Sequence, residues 1–290
     1  MSFARHGDVQ IYYDTFGNAA DEALLLISGL GSQCINYRDA FCRQLSAMGY
    51  FVIRFDNRDV GLSTKFDDVA VNGPSSSVVS AKGTGANYRL TDMAGDGLAV
   101  LDQLGIERAH VVGVSMGGMI AQTMAIEHPE RLRSLTSIMS STGDLDVGWP
   151  SSDALRLFQS RAPRDRDGFV ALRLASARVW GSPGCFDEEE LTAHALALFE
   201  RNFCPNGVAR QMGAIVRSGS RSAALTRVTI PTLVLHGDAD TLIDPSGGRR
   251  TAAMIPGARF ILIEGMGHDL AFKHWNRLAD LLREHFVLST

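Results

Sequence analysis

Several short runs in this chain are apolar at both alternating positions, among them Leu24 to Ile27, Phe51 to Phe55, His110 to Val114 and Leu233 to His236. A strand with one wet face alternates polar and apolar residues. A strand without that alternation must be covered on both sides, which is the condition inside a parallel sheet flanked by helices. Val9 to Tyr13, Leu135 to Met139 and Phe260 to Ile263 are further strand candidates. Between them lie segments with apolar residues at three- and four-residue spacing: Asn36 to Met48, Thr91 to Leu104 and Met116 to Glu127. For the second, Thr91 suits the N-cap and Gly105 the position just past the end. Repeated strand–helix units of this kind predict a doubly wound α/β sheet.

The rhythm breaks in the middle. From about Ser140 to Ala224 the pattern is helical, punctuated by Pro150, Pro163, Pro183 and Pro205 into about four pieces. The expected organisation is an α/β core over 1–139 and 225–290, with a helical cap over 140–224 folded across one face. Asp67 to Asn87, rich in Gly, Ser and Val, reads as a long flexible loop.

At 290 residues, 45% apolar and 21% charged, the chain can bury a sizeable core. Its net charge of −4 comes without a basic stripe, which argues against nucleic acid. No apolar run reaches the roughly 18 residues of a membrane helix, so no membrane partner is expected. Met1 to Asn18 lacks the apolar core of a secretory signal, and a cytoplasmic location is the expectation. Cys34, Cys42, Cys185 and Cys204 show no metal-ligand spacing, so zinc is not expected. They read as reduced thiols, with a Cys185–Cys204 pair left open. No cofactor is implied, and a homodimer is compatible with the composition.

The chemistry is concentrated at Gly113-Val114-Ser115-Met116-Gly117. A strand candidate leads in and a helix candidate leads out, the context of a nucleophile elbow. A serine hydroxyl needs a positioned base, and the base needs an acid to fix its tautomer. His268, in Gly265-Met266-Gly267-His268, follows the strand candidate at 260–263 and is the base candidate. Asp240 follows the strand candidate at 233–236 and is preferred as the acid over Asp238, which suits a turn brace, and over Asp144. His236 reads as part of the strand end. Two backbone N–H groups must receive the oxyanion. Met116, after the serine, and Leu30, in the Ser28-Gly29-Leu30-Gly31 turn, are placed to supply them.

Together, the Ser28 to Gly31 turn, the stretch Phe55-Asp56-Asn57-Arg58-Asp59-Val60-Gly61-Leu62-Ser63, the elbow, His236-Gly237-Asp238-Ala239-Asp240 and Gly265 to His268 resemble the α/β-hydrolase fold superfamily along essentially the whole chain. Within it, the chain is similar to small bacterial carboxylesterases, polyketide methylesterases and enol-lactone hydrolases. The resemblance implies a mostly parallel eight-stranded sheet with a helical cap after strand 6, and triad roles for Ser115, Asp240 and His268. The family's first turn often begins His-Gly. Here it begins Ser28-Gly29, so the bonds bracing that loop must differ. The Asp56/Arg58 pair matches the family and reads as structural bracing.

A serine nucleophile sets the chain apart from relatives that use aspartate there. The expected activity is hydrolysis of an uncharged small or medium ester or lactone through an acyl-enzyme. A perhydrolase-like or lyase activity on the same triad is the alternative, as is a receptor-like member with little turnover. Gly29, Ile35, Met119 and Met139, with Trp180 and Phe203 from the cap, are the candidate pocket residues.

Overall fold

The computed structural model describes residues 1–66, 88–160 and 162–289. The stretch read as a loop from Asp67 to Asn87 lies outside the described residues. Among the described residues eight strands form one sheet: β1 (Ser2–His6), β2 (Val9–Phe16), β3 (Glu22–Ile27), β4 (Tyr50–Phe55), β5 (Ala109–Val114), β6 (Leu132–Ile138), β7 (Thr232–Gly237) and β8 (Arg259–Ile263). Their order is β1-β2-β4-β3-β5-β6-β7-β8. β1 and β2 pair antiparallel, as do β2 and β4, and the remaining pairings are parallel.

The two-sided apolar runs now have a cause. In β3, Leu25 and Ile27 enter one core layer while Leu24 and Leu26 enter the other. In β4, Ile53 and Phe55 face the first layer and Val52 the second. The first layer is filled from α2 (Leu90–Gln103) and α3 (Met116–Glu127), the second from α1 (Asp39–Ser46) and α10 (Trp275–Val287). Thus α1, which follows β3, and α3, which follows β5, lie on opposite faces. Their strands are neighbours, with Ile27 opposite Gly113. Connections that part this way open a crevice at the carboxyl ends of the two strands, the usual ligand position in such sheets.

Several sequence expectations shift. Strand β1 escaped the periodicity because it is an edge strand in which Ala4 alone is buried. The helix expected over Asn36 to Met48 splits into a 3-10 turn at Cys34–Asn36 and α1, since Tyr37 is extended between them. α2 begins at Leu90, one residue before the expected cap Thr91, and the Asp92 carboxylate accepts the Arg89 N–H at 2.7 Å. Gly105, at φ +67°, closes it as expected. Helix α3 is not amphipathic: Met116 to Ala125 are all buried. Between β6 and β7 lie α4 (Ser152–Phe158), α5 (Arg166–Trp180), α6 (Glu188–Arg201), α7 (Pro205–Ser218) and the short α8 (Ser222–Leu225), where about four pieces were expected. α9 (Ser246–Met254) then links β7 to β8. Among the described residues no helix is long and apolar enough to cross a membrane.

Two histidines buried in the second layer make stability depend on pH. His110 stacks on Phe286 with ring centroids 4.2 Å apart, and its Nδ1 lies 2.8 Å from Ser134 Oγ. His285 donates from Nε2 to the Leu135 carbonyl at 3.2 Å. Burial, aided by nearby arginines, pushes His110 down to about 3 and His285 down to about 4. An unfolded histidine titrates near 6.5. The unfolded chain therefore binds more protons between these values, and stability rises with pH across that window. The contribution is complete above about 6.5 and is lost as pH falls through 4 toward 3. The melting temperature is expected to drop steadily from pH 7 to pH 4. His285→Gln, which keeps a donor for Leu135, should flatten that slope. An unchanged slope in the variant would remove His285 from the explanation.

Candidate active site

The elbow is built from steric necessity. Ser115 sits at φ +54°, ψ −122°, a conformation that costs a non-glycine residue about 1–3 kcal/mol. Its backbone is held from several sides. Ser115 N–H donates to the Ile138 carbonyl at 2.9 Å. Its own carbonyl accepts from Gly118 N–H at 2.9 Å and from Ser140 Oγ–H at 2.8 Å. The bracketing glycines allow the close approach. A Cβ on Gly113 would stand 2.1 Å from the Gly117 carbonyl oxygen, and one on Gly117 would stand 2.1 Å from that of Ile27. Neither contact can relax without moving backbone.

Ser115 Oγ lies 3.0 Å from His268 Nε2, and His268 Nδ1 lies 2.7 Å from Asp240 Oδ2. The three come from the carboxyl ends of β5, β8 and β7. Because β8 is three strands from β5, His268 must reach back across the sheet edge. The end of α5 guides it. His268 N–H donates to the Trp180 carbonyl at 2.6 Å, and Gly267 N–H donates to Ser182 Oγ at 2.9 Å. Asp269 in turn accepts from Ser182 N–H at 2.9 Å. The Asp240 turn is tied to the same helix end, with Thr241 Oγ1–H donating to the Val179 carbonyl at 2.8 Å.

Asp240 is buried, and its Oδ1 accepts the N–H groups of Leu242 and Ile243, both at 2.9 Å. Burial works to raise this carboxyl. The charge of His268 and hydrogen bonds from His236 and His268 outweigh it, so the group sits well below the ordinary carboxylate range. His236 stays at the end of β7, as its sequence position suggested, but it has a second task. Its Nε2 is 3.2 Å from Asp240 Oδ2 and 2.8 Å from the Ile243 carbonyl. Both neighbours are acceptors, so Nε2 carries the proton. The four-residue spacing across the turn was the available signal for this contact.

The rival acids are engaged elsewhere. Asp238 accepts the Gly265 N–H at 2.7 Å, bracing the loop that leads to His268. Asp144 accepts from Arg250 Nη1 at 2.7 Å and from Ser222 Oγ at 2.6 Å. Slight burial opposes its ionisation, but bonds from Ser220, Ser222, Thr142 and Arg250 prevail and lower it to about 2.

The Ser28 to Gly31 turn lies against the serine. A Cβ on Gly29 would be 3.1 Å from Ser115 Cβ. Ser28 Oγ has no hydrogen-bond partner among the described residues, and the bracing that the departure from His-Gly left open comes from elsewhere. Asn57 Nδ2–H donates to the Ser28 carbonyl at 2.9 Å, and Gly31 N–H donates to Gln211 Oε1 at 2.8 Å. Met116 is the first residue of α3, so its N–H is among the donors a helix leaves without an intrahelical partner. Asp56 and Arg58, taken as one pair in the sequence, have different partners. Asp56 bonds Arg201 at 2.7 Å and Cys34 N–H at 2.7 Å, while Arg58 grips Asp96 at 2.6 and 2.7 Å.

Of the candidate pocket residues, Gly29 lies in the turn against Ser115, and Ile35 is half-buried in the 3-10 turn at Cys34–Asn36. Met119 and Met139 are 7% and 2% exposed and belong to the two core layers, because both sides of the sheet are packed there. Phe203 lies in a half-buried trio with Phe169 and Phe199, centroids 4.7–5.9 Å apart. Trp180 meets the His268 loop through its carbonyl. All four cysteines are free, and no group of three or more metal-binding side chains occurs among the described residues.

The sequence profile of the alpha/beta hydrolase fold matches residues 22–274. Rhodomycin D methylesterase DauP of Streptomyces sp. (strain C5) is 31% identical, covering 98% of this chain and 97% of its own. 3-Oxoadipate enol-lactonase 2 of Acinetobacter baylyi is 28% identical over 83% of this chain and 80% of its own. The crystal structure of the enol-lactonase from Burkholderia xenovorans LB400 shares the fold, with a TM-score of 0.76 at 20% identity, covering 99% of this chain and 100% of that one.

Proposed function

The chain belongs to the alpha/beta hydrolase fold family and is a hydrolase of carboxylesterase type, and from this premise we propose that it cleaves carboxylic esters through an acyl-enzyme on Ser115. The observation that carries the reading is the unbroken chain of side chains, Ser115 Oγ to His268 Nε2 at 3.0 Å and His268 Nδ1 to Asp240 at 2.7 Å. In the proposed cycle Asp240 holds the Nδ1–H tautomer, which leaves Nε2 free to take the serine proton. Ser115 Oγ then attacks the ester carbonyl. The oxyanion rests on the N–H groups of Met116 and Leu30, each contributing on the order of 10²–10³ in rate. His268 passes its proton to the departing alcohol. It then draws a proton from water, whose oxygen attacks the acyl carbon; the bond to Ser115 Oγ breaks, His268 returns the proton to that oxygen, and the acid leaves.

Residues 140–224 are read as the cap of this site and 1–139 with 225–290 as its body. The hydrogen bonds from the end of α5 to the His268 loop support that division of labour. The aromatic trio in the cap favours an uncharged ester or lactone of small or medium size with an apolar acyl or alcohol group. The methylesterase and enol-lactonase relatives point to methyl esters and lactones as the first compounds to try.

The test is turnover of p-nitrophenyl acetate, followed by a panel of methyl esters and lactones. Acid-quenched enzyme should carry an acetyl group on the peptide containing Ser115. Label on a different residue, or no turnover across the panel, would overturn the reading.

A further inference from the structure

Helix α7 belongs by sequence to the insertion, yet its first half is fixed to the sheet domain. A Cβ on Gly207 would stand 2.0 Å from the Asp59 carbonyl oxygen. Arg210, 1% exposed, pairs with the buried Asp59 carboxylate at 2.7 Å. Gln211 is fully buried, and its amide bridges two core loops. Its Oε1 accepts from Gly31 N–H at 2.8 Å, and its Nε2–H donates to the Arg58 carbonyl at 2.7 Å.

Gly31 directly follows Leu30, so these bonds act on the backbone that presents the Leu30 N–H. The peptide after Leu30 is held by Gln211. The peptide before Gly29 is held by Asn57 through the Ser28 carbonyl at 2.9 Å. The peptide that bears the Leu30 N–H lies between them, and its own carbonyl, that of Gly29, accepts from Ser32 N–H at 3.2 Å. An amide's N–H and C=O point in opposite directions. With the carbonyl turned toward Ser32, the N–H of Leu30 is turned the other way.

We infer that Gln211 is a positioning residue for the oxyanion hole, acting from the insertion through Gly31 on the direction of the Leu30 N–H. The inference rests on the reading of Ser115 as nucleophile and Leu30 as oxyanion donor. Glutamine suits the place because its amide accepts and donates at once. Methionine matches its volume with neither function, and an ionised glutamate retains the acceptor alone. Burial removes competing water, so a lost partner is not replaced cheaply.

A purely structural Gln211 would lower the melting temperature of a variant without altering the chemistry of the folded fraction. A positioning Gln211 changes kcat with little change in KM, because the oxyanion forms after binding. The experiment compares wild type, Gln211→Met, Gln211→Glu and Ser115→Ala on p-nitrophenyl acetate at pH 8. It adds inhibition by an aryl trifluoromethyl ketone, which forms a charged adduct on a nucleophilic serine, beside the matching methyl ketone. Gln211→Met is expected to lower kcat roughly 10- to 100-fold, a fraction of the loss from deleting a donor outright. The trifluoromethyl ketone should weaken by a similar factor, with KM and methyl ketone binding held within about threefold. Folded Gln211→Met with wild-type kcat and wild-type trifluoromethyl ketone affinity would overturn the inference, as would a change confined to KM. Should Gln211→Met not fold, Gln211→Glu decides on the same two readouts, with a loss of about fivefold or more expected. If Ser115→Ala retains turnover, the nucleophile reading fails and the inference with it. If Ser115→Ala is inactive and the Gln211 variants are unimpaired, the inference alone fails.

Discussion

Ser115→Ala is expected to lower ester hydrolysis by at least about 10³-fold with the fold intact. Among the described residues the hydroxyl bonds to His268, and the elbow's geometry is set by backbone bonds that alanine keeps. Alanine at φ +54° is as strained as serine, so the melting temperature should barely move. Ser115→Gly provides the complement. It should be equally inactive, yet more stable by on the order of 1 kcal/mol, because glycine occupies positive φ without penalty. Two variants alike in activity and different in stability would separate the chemistry of the side chain from the strain of the backbone. Near wild-type turnover in either one would remove Ser115 as nucleophile.

Asp240→Asn is expected to cost roughly 10³–10⁴ in kcat, close to the loss that follows when a triad base is held in the wrong tautomer. The asparagine Oδ1 can still accept from Leu242 and Ile243, so the turn should persist. Its NH2 then faces His268 Nδ1 as a donor. The imidazole proton moves to Nε2, and the serine loses its acceptor. Asp238→Asn should cost far less, since an amide oxygen can still accept from Gly265. The reverse ranking would transfer the acid role to Asp238. The pH dependence has a definite sign. The Asp240 carboxyl is lowered in the folded chain, so its ionisation adds stability that is present above the unfolded value near 4 and lost as pH falls through the folded value. Asp240 therefore remains ionised throughout the neutral range, and loss of activity on mild acidification should not originate there.

The parallel core was legible in the sequence because a strand buried on both faces leaves no room for polar alternation. Leu24 to Ile27 shows this directly, dividing its side chains between two layers. β1 was not legible, since an edge strand with one buried residue has nothing to repeat. At the site, each of Ser115, Asp240 and His268 could be found from its own local signal: a glycine bracket, or a polar residue just past a strand. Gln211 and the Trp180 carbonyl could not. Gln211 meets Gly31 across 180 residues of chain, and the Trp180 contribution is a main-chain atom that any residue would supply. Such partners are defined by tertiary packing, which leaves no pattern in a neighbouring stretch of sequence.

The separation of 153 positions between Ser115 and His268 also governs when the site comes into existence. During synthesis the serine leaves the ribosome long before its base has been translated. On the proposed mechanism, attack on a carbonyl must wait until β8 and the loop behind it, which delivers His268, have been made. On that reading the nascent protein carries an inert serine while the chain from Ser115 to His268 is added, and the closing of this long-range contact is also its activation.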